Sequence, residues 1–143
     1  MNNLKNIFLI EDDEHDQYFF EVVLQSIAGA VLCGKAIEGH DALCKLQKAT
    51  VLPDIIFTDL HMPGMEGLAC ISELKRRPLL WQIPVIVLSS DTSKADVAKR
   101  IGARAFIKKP ASINLLKDKV AMLVHLDYTS ANPIADRTFD NYR

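Results

Sequence analysis

Cysteine is scarce in this chain, and the charge balance favours neither sign. The three cysteines, Cys33, Cys44 and Cys70, are odd in number and form no C-x-x-C pair. That argues against a disulfide framework and against a zinc cage, and it fits a reducing compartment, so a cytoplasmic location is expected. Seventeen basic residues face eighteen acidic ones, for a net charge of −1. Such a balance gives no electrostatic case for nucleic acid or for an anionic membrane surface as a partner. No apolar run approaches membrane-spanning length, and the polar start Met1-Asn2-Asn3-Leu4-Lys5 lacks a signal-peptide layout. There is no internal repeat and no low-complexity stretch. What remains is an ordinary globular composition, 49% hydrophobic and 24% charged over 143 residues, enough for one domain with a real core.

The chain has a rhythm of short apolar runs and longer helical patterns. Ile7-Phe8-Leu9-Ile10 is continuous, as expected of a strand buried on both faces, and stops at Glu11-Asp12-Asp13. The spacing of Phe19, Val22, Val23 and Ile27 predicts a helix over 14–28, ended by Gly29. A weaker strand over 31–36 and a helix over 40–49 follow, the latter with Leu43 and Leu46 inward. The third strand, 54–59, again ends in a carboxylate, and Met62-Pro63-Gly64 breaks the chain before a helix over 67–76. Pro84-Val85-Ile86-Val87-Leu88 is the fourth strand, and a helix over 93–101 meets Gly102 as a left-handed cap. Ala105-Phe106-Ile107 is a short fifth strand, and Ser112 can cap a last helix reaching about 126. Five alternations of strand and helix predict an α/β fold: a doubly wound, five-stranded parallel sheet with five helices, its ligand site at the carboxyl ends of the strands.

Those strand ends carry the chemistry. They deliver Glu11 and Asp12, Asp59, Ser89 and Lys109 to one edge of the sheet. Core packing needs no such group, because three carboxylates in one pocket repel and lose hydration. A divalent cation resolves this, and an all-oxygen site suits Mg²⁺ or Mn²⁺. A carboxylate beside such a metal can attack phosphorus, while metal and lysine neutralise the equatorial oxygens. The acyl phosphate product adds negative charge, which Lys109 and the Ser89 hydroxyl are able to meet.

The segments Ile10-Glu11-Asp12-Asp13, Asp59-Leu60-His61-Met62-Pro63-Gly64-Met65-Glu66-Gly67, Leu88-Ser89-Ser90 and Gly102 to Pro110 resemble, in order, the response-regulator receiver family of two-component signalling. The resemblance covers about residues 5 to 126. It implies a flavodoxin-like receiver fold over 1–126, with 127–143 as a flexible C-terminal tail. It implies Asp59 as phosphoacceptor, Asp12 as a direct metal ligand, Glu11 as a ligand through water, and the His61 backbone carbonyl as the third protein ligand. Lys109 would pair with the phosphoryl group, while Ser89 and Phe106 would stand at the switch hydroxyl and switch aromatic positions. A sensor histidine kinase or phosphotransfer protein would be the donor and a protein target the reader, with a homodimer through the α4–β5–α5 face as a further option. The acidic run also permits Asp12-Asp13 as the working pair, although the family's pair directly follows strand one. His61 and Asp91 fall at positions that tune phosphoryl lifetime in the family. Phosphorylation would draw in Ser89 and let Phe106 turn inward.

Plainer readings stand beside these. Ser89 could be a turn hydroxyl and Phe106 a core aromatic. Lys108 is expected in solvent because strand side chains alternate. Asp13, Glu14 and Asp16 read as a solvated first helical turn, where acids favour the dipole. His15, His40 and His125 read as surface residues, and 127–143 as a disordered tail or an arm on the domain or a neighbour. The chain is expected to signal rather than catalyse, its only reactions being its own phosphoryl transfer and slow autodephosphorylation. Two other classes compete. An aspartyl-nucleophile phosphatase of the haloacid dehalogenase type needs a second acid two residues after the nucleophile, where this chain has His61. An unphosphorylated adaptor would not need the set Asp12, Asp59, Ser89 and Lys109.

Overall fold

The computed structural model describes residues 4–62 and 65–128. Five parallel strands alternate with helices: β1 Lys5–Ile10, α1 Glu14–Gln25, β2 Ala30–Ala36, α2 Gly39–Lys48, β3 Ile55–Thr58, α3 Gly67–Arg76, β4 Val85–Ser89, α4 Ala95–Arg100, β5 Ala105–Lys108 and α5 Ile113–Val124. The strand order is β2-β1-β3-β4-β5. The order reverses between β1 and β3, where a doubly wound sheet opens its crevice at the carboxyl ends of the strands. This is the fold read from the sequence.

Burial follows strand position. β3 and β4 are buried at every residue, as continuous apolar runs between two helical layers require. β2, at the edge, alternates exposed with half-buried residues and ends in buried Ala36. α1 packs with α5 on one face and α2 with α3 on the other. The Phe20 ring of α1 meets the Phe57 ring of β3 with centroids 5.0 Å apart, which seats α1 on the sheet next to the strand that carries Asp59.

Element ends differ from the sequence pattern for local reasons. α1 stops at Gln25 rather than 28, because the Ser26 hydroxyl donates to the Val23 carbonyl at 2.6 Å and the Ile27 amide turns back to Leu24. The helix expected over 93–101 begins instead as a 3₁₀ turn, Thr92–Lys94, capped by Asp91, and is α-helical only over Ala95–Arg100. The third strand starts at Ile55, and just ahead of it Asp54 closes a reciprocal pair with Asn6, its carboxylate accepting the Asn6 amide at 2.7 Å and its amide donating to the Asn6 carbonyl at 2.7 Å. Gly29 and Gly102 take positive φ (84° and 117°), as the two helix stops demand. Tyr128, placed in the tail by sequence, packs on the core, donates to the Leu123 carbonyl at 2.6 Å and lies beneath the Arg104 guanidinium. Residues 129–143, the rest of the expected tail or arm, lie outside the described residues. Among the described residues no helix is long and apolar enough to cross a membrane.

Candidate functional site: an acidic pocket closed by a lysine

The last turn of backbone on β1 and β3 fixes the pocket. The Glu11 amide donates to Ala36 and the Asp59 amide donates to Ile10, so both acids leave the sheet at the same level. The buried Gln17 amide of α1 donates to the Glu11 carbonyl at 2.5 Å, and the Thr58 hydroxyl donates to the Asp59 carbonyl at 2.8 Å. The carboxylates of Glu11, Asp12 and Asp59 offer oxygens that all lie within 4.8 Å of one another. Glu11 is 3% exposed and Asp59 9%. Lys109 arrives from the end of β5, its amide held by the Ser89 carbonyl. Its ammonium lies 2.9 Å from Glu11 Oε1, 2.8 Å from Asp16 Oδ2 and 3.5 Å from Asp59 Oδ2.

The two oxygens of Asp59 are not equivalent. Oδ1 accepts the Leu60 amide at 2.7 Å, which orients the carboxylate, while Oδ2 is the one facing Lys109. The electrostatics match the crowding. Burial, with Asp59 adding to it, pushes the Glu11 carboxyl up from its ordinary value to about 7, against the opposing pull of Lys109. Burial works against the Lys109 charge as well, but the Asp16 and Glu11 carboxylates and the charge of Asp59 outweigh it and hold the ammonium well above its ordinary range.

The two registers for the acid pair have different fates. The Asp13 carboxylate is spent as the cap of α1, accepting the Asp16 amide at 2.9 Å. Its exposed side chain is not in the cluster, whereas Glu11 and Asp12 are. Asp16 was expected in solvent only. It is exposed, yet its carboxylate makes one of the shortest ion pairs in the pocket, because the Lys109 side chain reaches from the end of β5 to both Glu11 and the first turn of α1. An acid in a helix's first turn carries no sequence sign of that nonlocal partner. Lys108 is exposed and so are His15, His40 and His125.

The remaining residues ring the pocket. Ser89 is 1% exposed, and its hydroxyl accepts the Asp91 amide at 3.1 Å. His61 Nε2 meets Asp91 Oδ2 at 3.1 Å, so the two positions singled out for phosphoryl lifetime touch. The Ser93 hydroxyl first, and His61 next, hold the Asp91 carboxyl below its usual value. Phe106 is 1% exposed. Burial at this position is what the plainer reading, a core aromatic, requires.

The description "Response regulator receiver domain" matches residues 7–121. This chain belongs to that family. Among similar receivers, PilG of Pseudomonas aeruginosa is 32% identical over 108 residues, 74% of this chain and 77% of PilG. The transcriptional regulator NtrC of Salmonella typhimurium is 30% identical over 109 residues, 76% of this chain but 22% of NtrC. The chain thus spans about a fifth of NtrC's length, and only the receiver part is shared. Among solved structures, the phosphorylated cyanobacterial phytochrome response regulator RcpA superposes with a TM-score of 0.75 at 25% identity, covering 91% of this chain and 99% of RcpA. The Mn²⁺-bound form of Rcp1 superposes at 0.74 with 24% identity, covering 90% of this chain and 99% of Rcp1, a likeness of fold.

The raised Glu11 carboxyl predicts a stability that depends on pH. A group whose folded pKa is raised stabilises the protein fully below its ordinary value of 4.5 and loses that contribution as pH rises through about 7. Urea midpoints without divalent cation are therefore expected to be higher at about pH 5 than at about pH 8. A Mg²⁺ ion held by these acids would show the opposite trend, its affinity rising across the same window as Glu11 ionises. Titration calorimetry at several pH values measures this, and an Mg²⁺ affinity flat from pH 5 to 8 (about three units) contradicts it.

Proposed function

We propose that Asp59 accepts a phosphoryl group from a sensor histidine kinase or a phosphotransfer protein, with Mg²⁺ in the acidic pocket, and that the change is read by a protein target. The supporting observation is the convergence of Glu11, Asp12 and Asp59 within 4.8 Å, faced by the Lys109 ammonium. The donor set is carboxylate oxygen only, which fits a hard divalent cation, Mg²⁺ or Mn²⁺. Glu11, Asp12 and Asp59 would hold the cation together with the His61 backbone carbonyl. When bound, the cation supplies charge neutralisation at the phosphoryl oxygens.

The protein's own residues do the rest. Asp59 Oδ2 attacks phosphorus with a lone pair while the Leu60 amide keeps Oδ1 in place. The P–N bond of the donor phosphohistidine breaks, its electron pair stays on the imidazole, and the new P–O bond makes an acyl phosphate. Lys109 lies 3.5 Å from that oxygen and meets the charge that develops. Hydrolysis by water would later return the carboxylate, so the chain acts as a switch that turns over its own modification.

The output starts at Ser89. Its hydroxyl holds the Asp91 amide at the start of the 3₁₀ turn, and a bond to the phosphoryl group would take it away. Asp91 also caps that turn and pairs with His61, so loss of the Ser89 bond is felt in both loops. Phe106 beside β4 fixes where the repacking ends. This is a local charge change biasing a two-state segment. The altered face, from the 3₁₀ turn through β5 and α5, is where a protein target or a second copy would bind; neither nucleic acid nor a membrane is called for.

Acetyl phosphate with Mg²⁺ tests the reading. Intact-mass spectrometry is expected to show one added phosphoryl group, removed by hydroxylamine and absent when EDTA replaces Mg²⁺. A chain that stays unmodified while a known receiver is modified in parallel would sink the proposal. Many turnovers on a small phosphate ester would favour a phosphatase instead.

A further inference from the structure

Glu38 stands between β2 and α2, away from the acidic cluster, and its carboxylate serves two loops at once. Oε1 accepts the Asp41 amide at 2.8 Å and Oε2 accepts the His40 amide at 3.0 Å, which caps α2. Oε2 also accepts the amide of Met65, 27 residues away, at 3.1 Å. The Gly39 amide donates back to the Met65 carbonyl at 3.3 Å, so both backbone groups of Met65 are held from this corner. The Met65 side chain fills the space over Gly39, where a Cβ would sit 2.6 Å from Met65 Cγ. Two residues further on, the Gly67 amide donates to the Leu60 carbonyl at 2.9 Å and closes the loop. Met65, just ahead of α3, is thus fastened to the β2–α2 corner.

The residue type is informative. Short side chains are the preferred helix caps: Asn, Asp, Ser and Thr. Glutamate is longer by one methylene, and here the extra reach carries the carboxylate to a second element. Burial would raise the Glu38 carboxyl, but amides of His40, Asp41 and Met65 outweigh it and hold it below its ordinary value.

We infer that Glu38 is a positioning residue for the metal: by fastening Met65, it sets where Gly67 meets the Leu60 carbonyl, and so holds the residue whose amide orients the Asp59 carboxylate. The inference rests on the receiver reading above. Residues that orient a metal's ligands typically change affinity by tenfold or more when altered.

Glu38→Asp separates positioning from capping. It keeps the charge and a preferred cap for α2 but withdraws the carboxylate from Met65. The expected result is Mg²⁺ binding weakened about tenfold in calorimetry, an unchanged thermal midpoint without metal, and faster amide exchange at Met65 in the metal-free protein. Glu38→Gln, of the original length, is expected to recover part of the Met65 protection. Mg²⁺ affinity and Met65 exchange equal to wild type would overturn the inference. So would a loss of affinity accompanied by a lowered midpoint and faster exchange throughout α2, which is a capping effect. Failure of the wild-type chain to bind Mg²⁺ would instead overturn the receiver reading, and the Met65 exchange would still judge the fastening.

Discussion

Asp59→Asn is expected to reduce phosphoryl acceptance from acetyl phosphate to background, a loss of more than about a thousandfold, while leaving a folded chain. The amide has no lone-pair donor comparable to carboxylate Oδ2, but its carbonyl oxygen keeps the place of Oδ1 against the Leu60 amide. The fold has reason to tolerate the change. One of three crowded carboxylates goes, and Lys109 keeps Glu11 and Asp16. Since Asp59 is among the causes that raise the Glu11 carboxyl, that carboxyl is expected to fall back from about 7. Without divalent cation the variant should be more stable by about 1 kcal/mol. Intact mass with peptide mapping reads the first effect and urea unfolding the second. Modification of the variant at another residue would move the acceptor and dismantle the proposed site.

Gly67→Ala carries the largest expected cost in stability, about 3 kcal/mol. A Cβ on Gly67 would lie 2.2 Å from the Asp59 carbonyl oxygen and 2.7 Å from Leu60 Cα. Both are backbone atoms at the mouth of the pocket and cannot swing aside. Relief requires α3 to retreat from β3, which breaks the Gly67–Leu60 hydrogen bond and drags the Asp59 carboxylate with its backbone. Mg²⁺ affinity is therefore expected to fall together with stability. Gly34→Ala is the control: there the close atoms belong to the Phe8 ring, at 3.0 Å, and a side chain can yield. Chemical denaturation of both variants decides it; a Gly67→Ala midpoint equal to that of Gly34→Ala would contradict the argument.

The sheet and the acids were legible because they obey local rules. A strand covered on both faces must be apolar throughout, and Ile7–Ile10 and Val85–Leu88 are; where such a run stops in carboxylates, the strand end is marked. The same rule placed Glu11, Asp12, Asp59, Ser89 and Lys109 at one edge, and the structure brings the three acids and the lysine together. The place of Glu11-Asp12 directly after strand one favours it over Asp12-Asp13, and the acids that cluster are Glu11 and Asp12; what was not legible is the physical reason, Asp13 being consumed as a helix cap. Asp16 was read only as a dipole-friendly acid, because its pairing with Lys109 spans 93 residues. The Glu38–Met65 contact was equally hidden: glutamate is an unexpected cap, and nothing local announces its second partner. Tyr128 sat in a polar stretch without period, yet one hydroxyl bond to Leu123 and a cation above its ring fasten it.

Glu11 and Lys109 stand 98 positions apart, and their contact crosses most of the chain. During synthesis every acid of the pocket emerges well before the amine that tempers them. A nascent chain ending before β5 would hold mutually repelling carboxylates and no counterion, so it has little incentive to draw β1 and β3 together at their tips. Competence to receive a phosphoryl group is thereby deferred until β5 has emerged, and a polypeptide that stops before it stays deaf to its donor.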